Sequence, residues 1–122
     1  MNERDWILHV VSAFYEKAKS DVLIGYHFRI IKDFNEHIPR IASFWDIQLL
    51  GSTERSPTNS FDVMNLHLVM GIKRGELGRW MVLFHKTLNE EVKAHPEFTD
   101  FNEAWKIRLN FFEGVFLRFL GF

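Results

Sequence analysis

Apolar side chains recur at steps of three and four along most of the chain, which is the period of an amphipathic helix. The first such stripe consists of Ile7, Val10, Val11, Phe14, Ala18 and Val22. Gly25 breaks the pattern, so we expect a short irregular turn at residues 26–28. A second helix should begin near Asn35, with Asp33 or Asn35 as its cap. Pro39 favours that late start, because proline is tolerated in the first helical turn.

The second half of the chain repeats the helical pattern after a polar loop at residues 52–60. We expect a short helix over residues 61–70, ended by Gly71, and an irregular connection marked by Gly71, Gly75 and Gly78. A long helix follows and stops at His95-Pro96, and a last helix starts near Asp100. No segment alternates with the period of a strand. The sequence therefore predicts one all-α domain over residues 1–122.

Two histidines take apolar positions on these helical stripes. His37 precedes Ile41, Phe44 and Trp45, and His67 lies between Met64 and Leu68. No second ligand follows His67 by one helical turn, so a metal site with two histidines on one helix is not expected. The chain also has no phosphate-binding glycine loop and no recognisable Ser-His-Asp set.

The amino-acid composition argues against several classes of function. The 13 phenylalanines indicate either a tight aromatic core or a core built around a flat apolar group. The net charge of -1, without a basic cluster, argues against a nucleic-acid partner. The absence of cysteine excludes disulfides, thiolate metal ligands and haem attached through a cysteine pair. With no leader-like segment at residues 1–5 and no long apolar run, we expect a cytoplasmic protein without a membrane partner.

The order of several residues resembles a known family. Phe14-Tyr15 lies on the first helix, Phe28 follows the glycine break, His37 lies near the start of the next helix, and His67 and Trp80 come later. This order and spacing, over residues 10–92, are similar to those of the third group of truncated haemoglobins. The resemblance implies a truncated-globin fold, in which helices pack two over two around haem b.

The resemblance also implies residue roles. His67 would be the iron ligand, and Tyr15, His37 and Trp80 would face the bound ligand on the distal side. Pro39 departs from the family pattern and leaves the direction of His37 open. We expect eight residues to contact haem: Phe28, Ile41, Phe44, Trp45, Met64, His67, Arg40 and Arg74. The two arginines are the favoured partners of the haem propionates.

Neutral imidazole is a good axial ligand for haem iron, and phenol and indole groups can donate to a bound ligand. The expected function is reversible binding of oxygen or another diatomic ligand. Nitric oxide detoxification or peroxidase-like chemistry, with a reductase as partner, are open extensions, so enzymatic activity is left undecided. The alternatives are a cofactor-free helical interaction module and a small sensor domain.

Overall fold

The computed structural model describes residues 1–55 and 71–121, and all regular structure in these residues is helical. The elements are α1 (Glu3–Ala18), α2 (Gly25–Arg29), α3 (Phe34–Leu50), α4 (Arg74–Ala94) and α5 (Thr99–Phe119), with a 3-10 turn at Pro96–Phe98. The all-α prediction is confirmed for this part of the chain. Within these same ranges, no helix is both long and apolar enough to cross a bilayer.

Polar side chains and one glycine define the helix ends. The Asn2 side chain accepts a hydrogen bond from the backbone N–H of Asp5 and caps α1. Asp33, and not Asn35, caps α3 by accepting from the backbone N–H of Glu36. Gly51 ends α3 with a φ of 64°, in the left-handed region that favours glycine.

The four long helices form a closed cycle of contacts. Helix α1 packs against α3 and α4, and α5 packs against α4 and α3. Aromatic rings fill the centre, where the Trp45 ring lies 5.6 Å from that of Trp105 and 5.8 Å from that of Phe84. Offset and edge-on ring contacts of this kind stabilise a core beyond the area they bury. The apolar stripe of the last helix predicts five inward residues. Trp105, Leu109, Phe112 and Phe116 are buried, and Leu120, just beyond the end of α5, is partly buried.

The segment after α1 differs from the prediction. Residues 26–28 lie in the short helix α2 and not in an irregular turn. Gly25 lets this helix approach the end of α1 closely, because a Cβ there would lie 3.0 Å from the carbonyl oxygen of Lys19. Val22, expected on the buried face of the first helix, is exposed because α1 already ends at Ala18.

Two further expectations were wrong. Gly75 and Gly78 do not form an irregular connection but lie inside α4, which begins at Arg74. Pro39 is six residues into α3 and outside its first turn, because the helix begins at Phe34. The carbonyl oxygen of Pro39 accepts a hydrogen bond from Ser43 Oγ at 2.9 Å.

A buried ion pair fixes the chain beyond α3. The Asp46 carboxylate has no exposed surface and accepts from Arg55 Nε at 2.8 Å. Arg55 Nη2 also donates to the carbonyl oxygen of Arg4, which joins this stretch to the start of α1. Removing one partner of a buried pair leaves the other without compensation, so this contact should matter more than the exposed ion pairs.

We expect Asp46→Ala to lower the free energy of unfolding by about 3 kcal/mol, because Arg55 loses the buried carboxylate with which it pairs and a buried cavity opens. Urea denaturation followed by circular dichroism measures the effect. Arg40→Ala is the matched control, since it breaks the exposed pair with Glu36. It should cost less than about 1 kcal/mol. Equal losses in the two variants would contradict this role for Asp46.

Candidate functional site

An apolar cleft lies among α1, α3, α4 and α5, and opens to solvent at one side. Its space, with the open mouth included, is ≈ 560 Å³, so the enclosed part is smaller. Among the described residues that line it, the polar side-chain groups are one phenol and two indoles. The lining residues are Phe14, Tyr15, Ile41, Phe44, Trp45, Leu77, Trp80, Met81, Phe84, Leu109 and Phe116. An apolar, aromatic lining with few polar groups is typical of small-molecule and cofactor sites.

A hydrogen bond between α1 and α3 places two predicted site residues together. Tyr15 Oη lies 2.8 Å from His37 Nε2. The phenol donates when Nε2 carries no proton, and the imidazole donates in the other tautomer. Burial raises the pKa of the Tyr15 phenol far above its usual value, so the hydroxyl keeps its proton at neutral pH. Two residues that the resemblance assigns to the distal side are thus in direct contact.

Aromatic rings connect this pair to Trp80. The Phe28 ring lies 5.1 Å from the Tyr15 ring and 4.8 Å from the Trp80 ring. Phe28 is buried behind Tyr15 and Trp80, and Tyr15 and Trp80 line the cleft. Trp80 also stacks on Phe14, at 6.2 Å between ring centroids. The expected distal residues therefore form one cluster drawn from α1, α2, α3 and α4.

The remaining predicted contacts divide into three groups. Ile41, Phe44 and Trp45 line the cleft along α3, as a haem wall would require. Arg40 and Arg74 are exposed and line no part of the cleft, and Arg40 is paired with Glu36. The last group, His67 and Met64 on the expected helix at 61–70, lies outside the described residues.

The sequence analysis missed a buried histidine. His27 on α2 is buried, and its Nε2 lies 3.2 Å from Glu76 Oε1 on α4. Tyr26 donates to the other carboxylate oxygen, and the backbone N–H of Lys73 also donates to Glu76. Burial opposes ionisation of Glu76, but these hydrogen bonds outweigh it and lower the pKa of the carboxyl. Assigning residues 26–28 to helix would have placed His27 and Phe28 on its inward side.

A second polar contact joins α1 and α4 through partly exposed residues. The His9 ring stacks on Trp6 at 5.4 Å, and its Nε2 lies 2.7 Å from Glu91. Glu91 therefore connects α4 to α1. These contacts lie near the start of α1, and none of their residues lines the cleft. They support the helix packing.

Comparison with models of protein families, with curated proteins and with solved structures finds no match for this chain. The class that fold and site define is therefore an all-α protein with an aromatic cleft and a partly buried tyrosine–histidine pair.

Tyr15 should make the protein sensitive to alkali. Its phenol keeps its proton when folded but loses it near pH 10.0 when unfolded, so the unfolded state binds fewer protons above that pH. Stability should fall as pH rises above about 10, by up to about 1.4 kcal/mol per pH unit. Tyr15→Phe should remove this part of the pH dependence, as measured by urea denaturation at increasing pH.

The control for this measurement is Tyr26→Phe, which removes a partly exposed phenol that donates to Glu76. It should retain most of the alkaline loss seen in the unmodified protein. An alkaline loss in Tyr15→Phe that matches the unmodified protein would show that Tyr15 is not the buried titrating group.

Proposed function

We propose that this protein binds haem b in the aromatic cleft and, with it, oxygen or another diatomic ligand. The observation that carries the proposal is the contact of Tyr15 Oη with His37 Nε2 at 2.8 Å, beside a cleft that Trp80 also lines. From the resemblance to truncated haemoglobins, we expect Tyr15, His37 and Trp80 to surround one bound ligand. In this proposal the helices pack two over two around the haem.

The cleft fits the chemistry of the group. A flat, largely apolar macrocycle needs apolar and aromatic walls, and ten of the eleven lining side chains are aliphatic or are Phe, Trp or Met. The exception is Tyr15, whose hydroxyl is already paired. The cleft is also open at its mouth, which the charged propionates of a haem require. The exposed Arg40 and Arg74 remain proposed partners for those propionates.

Haem would supply an iron atom able to bind diatomic ligands, and the imidazole of His67 would hold that iron. The protein's own contribution is an apolar enclosure with a few placed donors. The Tyr15 phenol stays neutral and can donate to His37 or, on rotation of its hydroxyl, to a ligand in the cleft. Trp80 brings an indole donor on a rigid ring that is held by Phe14 and Phe28.

These donors favour retention of a polar ligand over its rapid release. A hydrogen bond to a partly charged ligand is stronger than one between two neutral groups. It is stronger still in a cleft from which water is excluded. The same set suits redox chemistry such as nitric oxide detoxification or peroxide activation, for which a reductase would be the partner. A chain that takes up no haem would instead fit a cofactor-free helical interaction or sensor module.

His67→Ala should weaken haem retention. Because the axial ligand would be lost, we expect haem transfer to an excess of a haem-scavenging protein to accelerate at least about tenfold. Loss of the absorbance of the bound haem measures the rate. His85→Ala is the matched control, since His85 pairs with Asn110 at 2.9 Å and does not line the aromatic cleft. Equal transfer rates in both variants would show that His67 is not the ligand.

Tyr15→Phe and Trp80→Phe should each speed ligand release. Removing one hydrogen bond to a bound ligand should raise the oxygen dissociation rate by about tenfold, because such bonds contribute about 1.5 kcal/mol or more. Stopped-flow mixing with carbon monoxide measures this rate. Tyr26→Phe, whose ring is partly exposed and far from the cleft lining, should leave it unchanged. Unchanged rates in both cleft variants would remove these residues from the ligand site.

A further inference from the structure

The segment at residues 21–30 turns large apolar side chains toward solvent. Val22 is 93% exposed, Ile30 71%, Leu23 57% and Tyr26 44%. These four make up half of the exposed large hydrophobic residues found in residues 1–55 and 71–121. We call them the 21–30 face. Contiguous exposed apolar groups on a small protein generally indicate a surface that contacts something else.

The side chains of the 21–30 face share one side of a helical turn. The backbone N–H of Gly25 donates to the carbonyl oxygen of Asp21 at 2.9 Å, so the helical register begins before α2 itself. Val22, Tyr26 and Ile30 are four residues apart in this register and therefore lie along one stripe. The opposite side holds Ile24 and Phe28, which are buried.

A rigid support holds this turn in place. Asp21 Oδ1 accepts from the backbone N–H groups of Leu23 and Ile24, and Asp21 Oδ2 accepts from Arg79 Nε and Nη2 at 3.0 and 2.8 Å. The Arg79 hydrogen bond holds the pKa of the Asp21 carboxyl below its usual range. The apolar stripe is thus presented in a fixed conformation, which lowers the entropic cost of binding through it.

Positive charge surrounds the 21–30 face. Residues 16–33 and 73–79 hold seven basic and four acidic residues, an excess of three positive charges in a chain whose net charge is -1. The start of α4 belongs to this surface because Tyr26 donates to Glu76, one turn beyond Lys73. Some of these groups are paired within the protein: Asp21 with Arg79, Lys19 with Glu16, and Lys17 with Glu90, which lies outside these ranges. Even with Glu90 counted, the excess is two positive charges.

We propose that the 21–30 face is a peripheral contact for a lipid bilayer that carries anionic headgroups. Apolar side chains would enter the interface while lysine and arginine side chains around them meet the headgroups, as on other membrane-surface proteins. This contact would lie on the membrane surface and would not span the bilayer. It departs from the sequence-based expectation that the protein has no membrane partner.

The composition of the face favours lipid over the other occupants. Three of its four residues are Val, Leu or Ile, whereas the residues that dominate protein interfaces are mostly Trp, Tyr and Arg. A second copy of the chain would bring two positively charged faces together, which is unfavourable. A bilayer also adapts to a protruding side chain such as Val22, while a protein partner would need a matching pocket.

Co-sedimentation with vesicles tests the proposal. The unmodified protein should bind vesicles of phosphatidylcholine that contain roughly a third phosphatidylserine, and bind phosphatidylcholine alone far more weakly. Val22→Ser with Ile30→Ser should weaken binding at least about tenfold, because two apolar groups no longer enter the interface. Both positions are exposed, so the fold should be retained, and circular dichroism checks this.

The matched control is Ile107→Ser with Phe111→Ser, which removes equally large exposed side chains on α5 (73% and 52% exposed). It should change vesicle binding by less than about twofold, as expected for a surface that does not take part. Lys32→Gln and Lys73→Gln should each weaken binding about fivefold. Equal losses in the control and in the 21–30 variant would overturn the proposal.

Four other outcomes would also overturn it. Absence of binding to anionic vesicles would do so directly, as would binding that depends on the lysines but not on Val22 and Ile30. Retention on immobilised polyglutamate that depends on the stripe, without vesicle binding, would assign the face to an acidic protein. A concentration-dependent dimer that the Val22 and Ile30 substitutions abolish would assign it to a second copy. None of these results depends on haem binding.

Discussion

A polar pair set in an apolar interior is the constraint around which this structure is organised. Tyr15 and His37 bring a phenol and an imidazole to the edge of a cleft whose other walls are hydrocarbon and aromatic. Leaving either group unpaired would cost about 1–3 kcal/mol, so α1 and α3 are held at the separation that lets the two atoms meet. The cleft lies beside this contact, and Tyr15 belongs to both.

The surrounding helices secure that geometry with aromatic packing. Phe28 on α2 supports both Tyr15 and Trp80, and Trp45 on α3 contacts the core rings of α4 and α5. At the far end of α1, the Trp6 indole donates to Asn102 at 2.7 Å, and Asn102 donates to the carbonyl oxygen of Leu88. Helix α1 is therefore fixed at both ends, and the position of Tyr15 follows.

Hydrophobic periodicity was enough to predict the long helices and most of their buried faces, because burial of those stripes drives the packing. The pairing of Tyr15 with His37 came from the ordered resemblance and could not have come from periodicity. Short-range signals failed near glycine: Gly25 was taken for a break, although it permits a close approach of α2 to α1. That error hid both the burial of His27 and the exposure of Val22, since each depends on where the chain resumes its helical register.

The same backbone arrangement gives the two sides of α2 different tasks. Phe28 on its inner side supports the cleft, and Tyr26 on its outer side belongs to the 21–30 face. Whether the cleft holds haem is tested most directly by titrating the unmodified, haem-free protein with haemin and following tryptophan fluorescence together with haem absorbance. Trp45 and Trp80 line the cleft, so we predict quenching of fluorescence and a sharp absorbance maximum that both saturate at one haemin per chain. Weak, non-saturating absorbance changes with unquenched fluorescence would contradict the account.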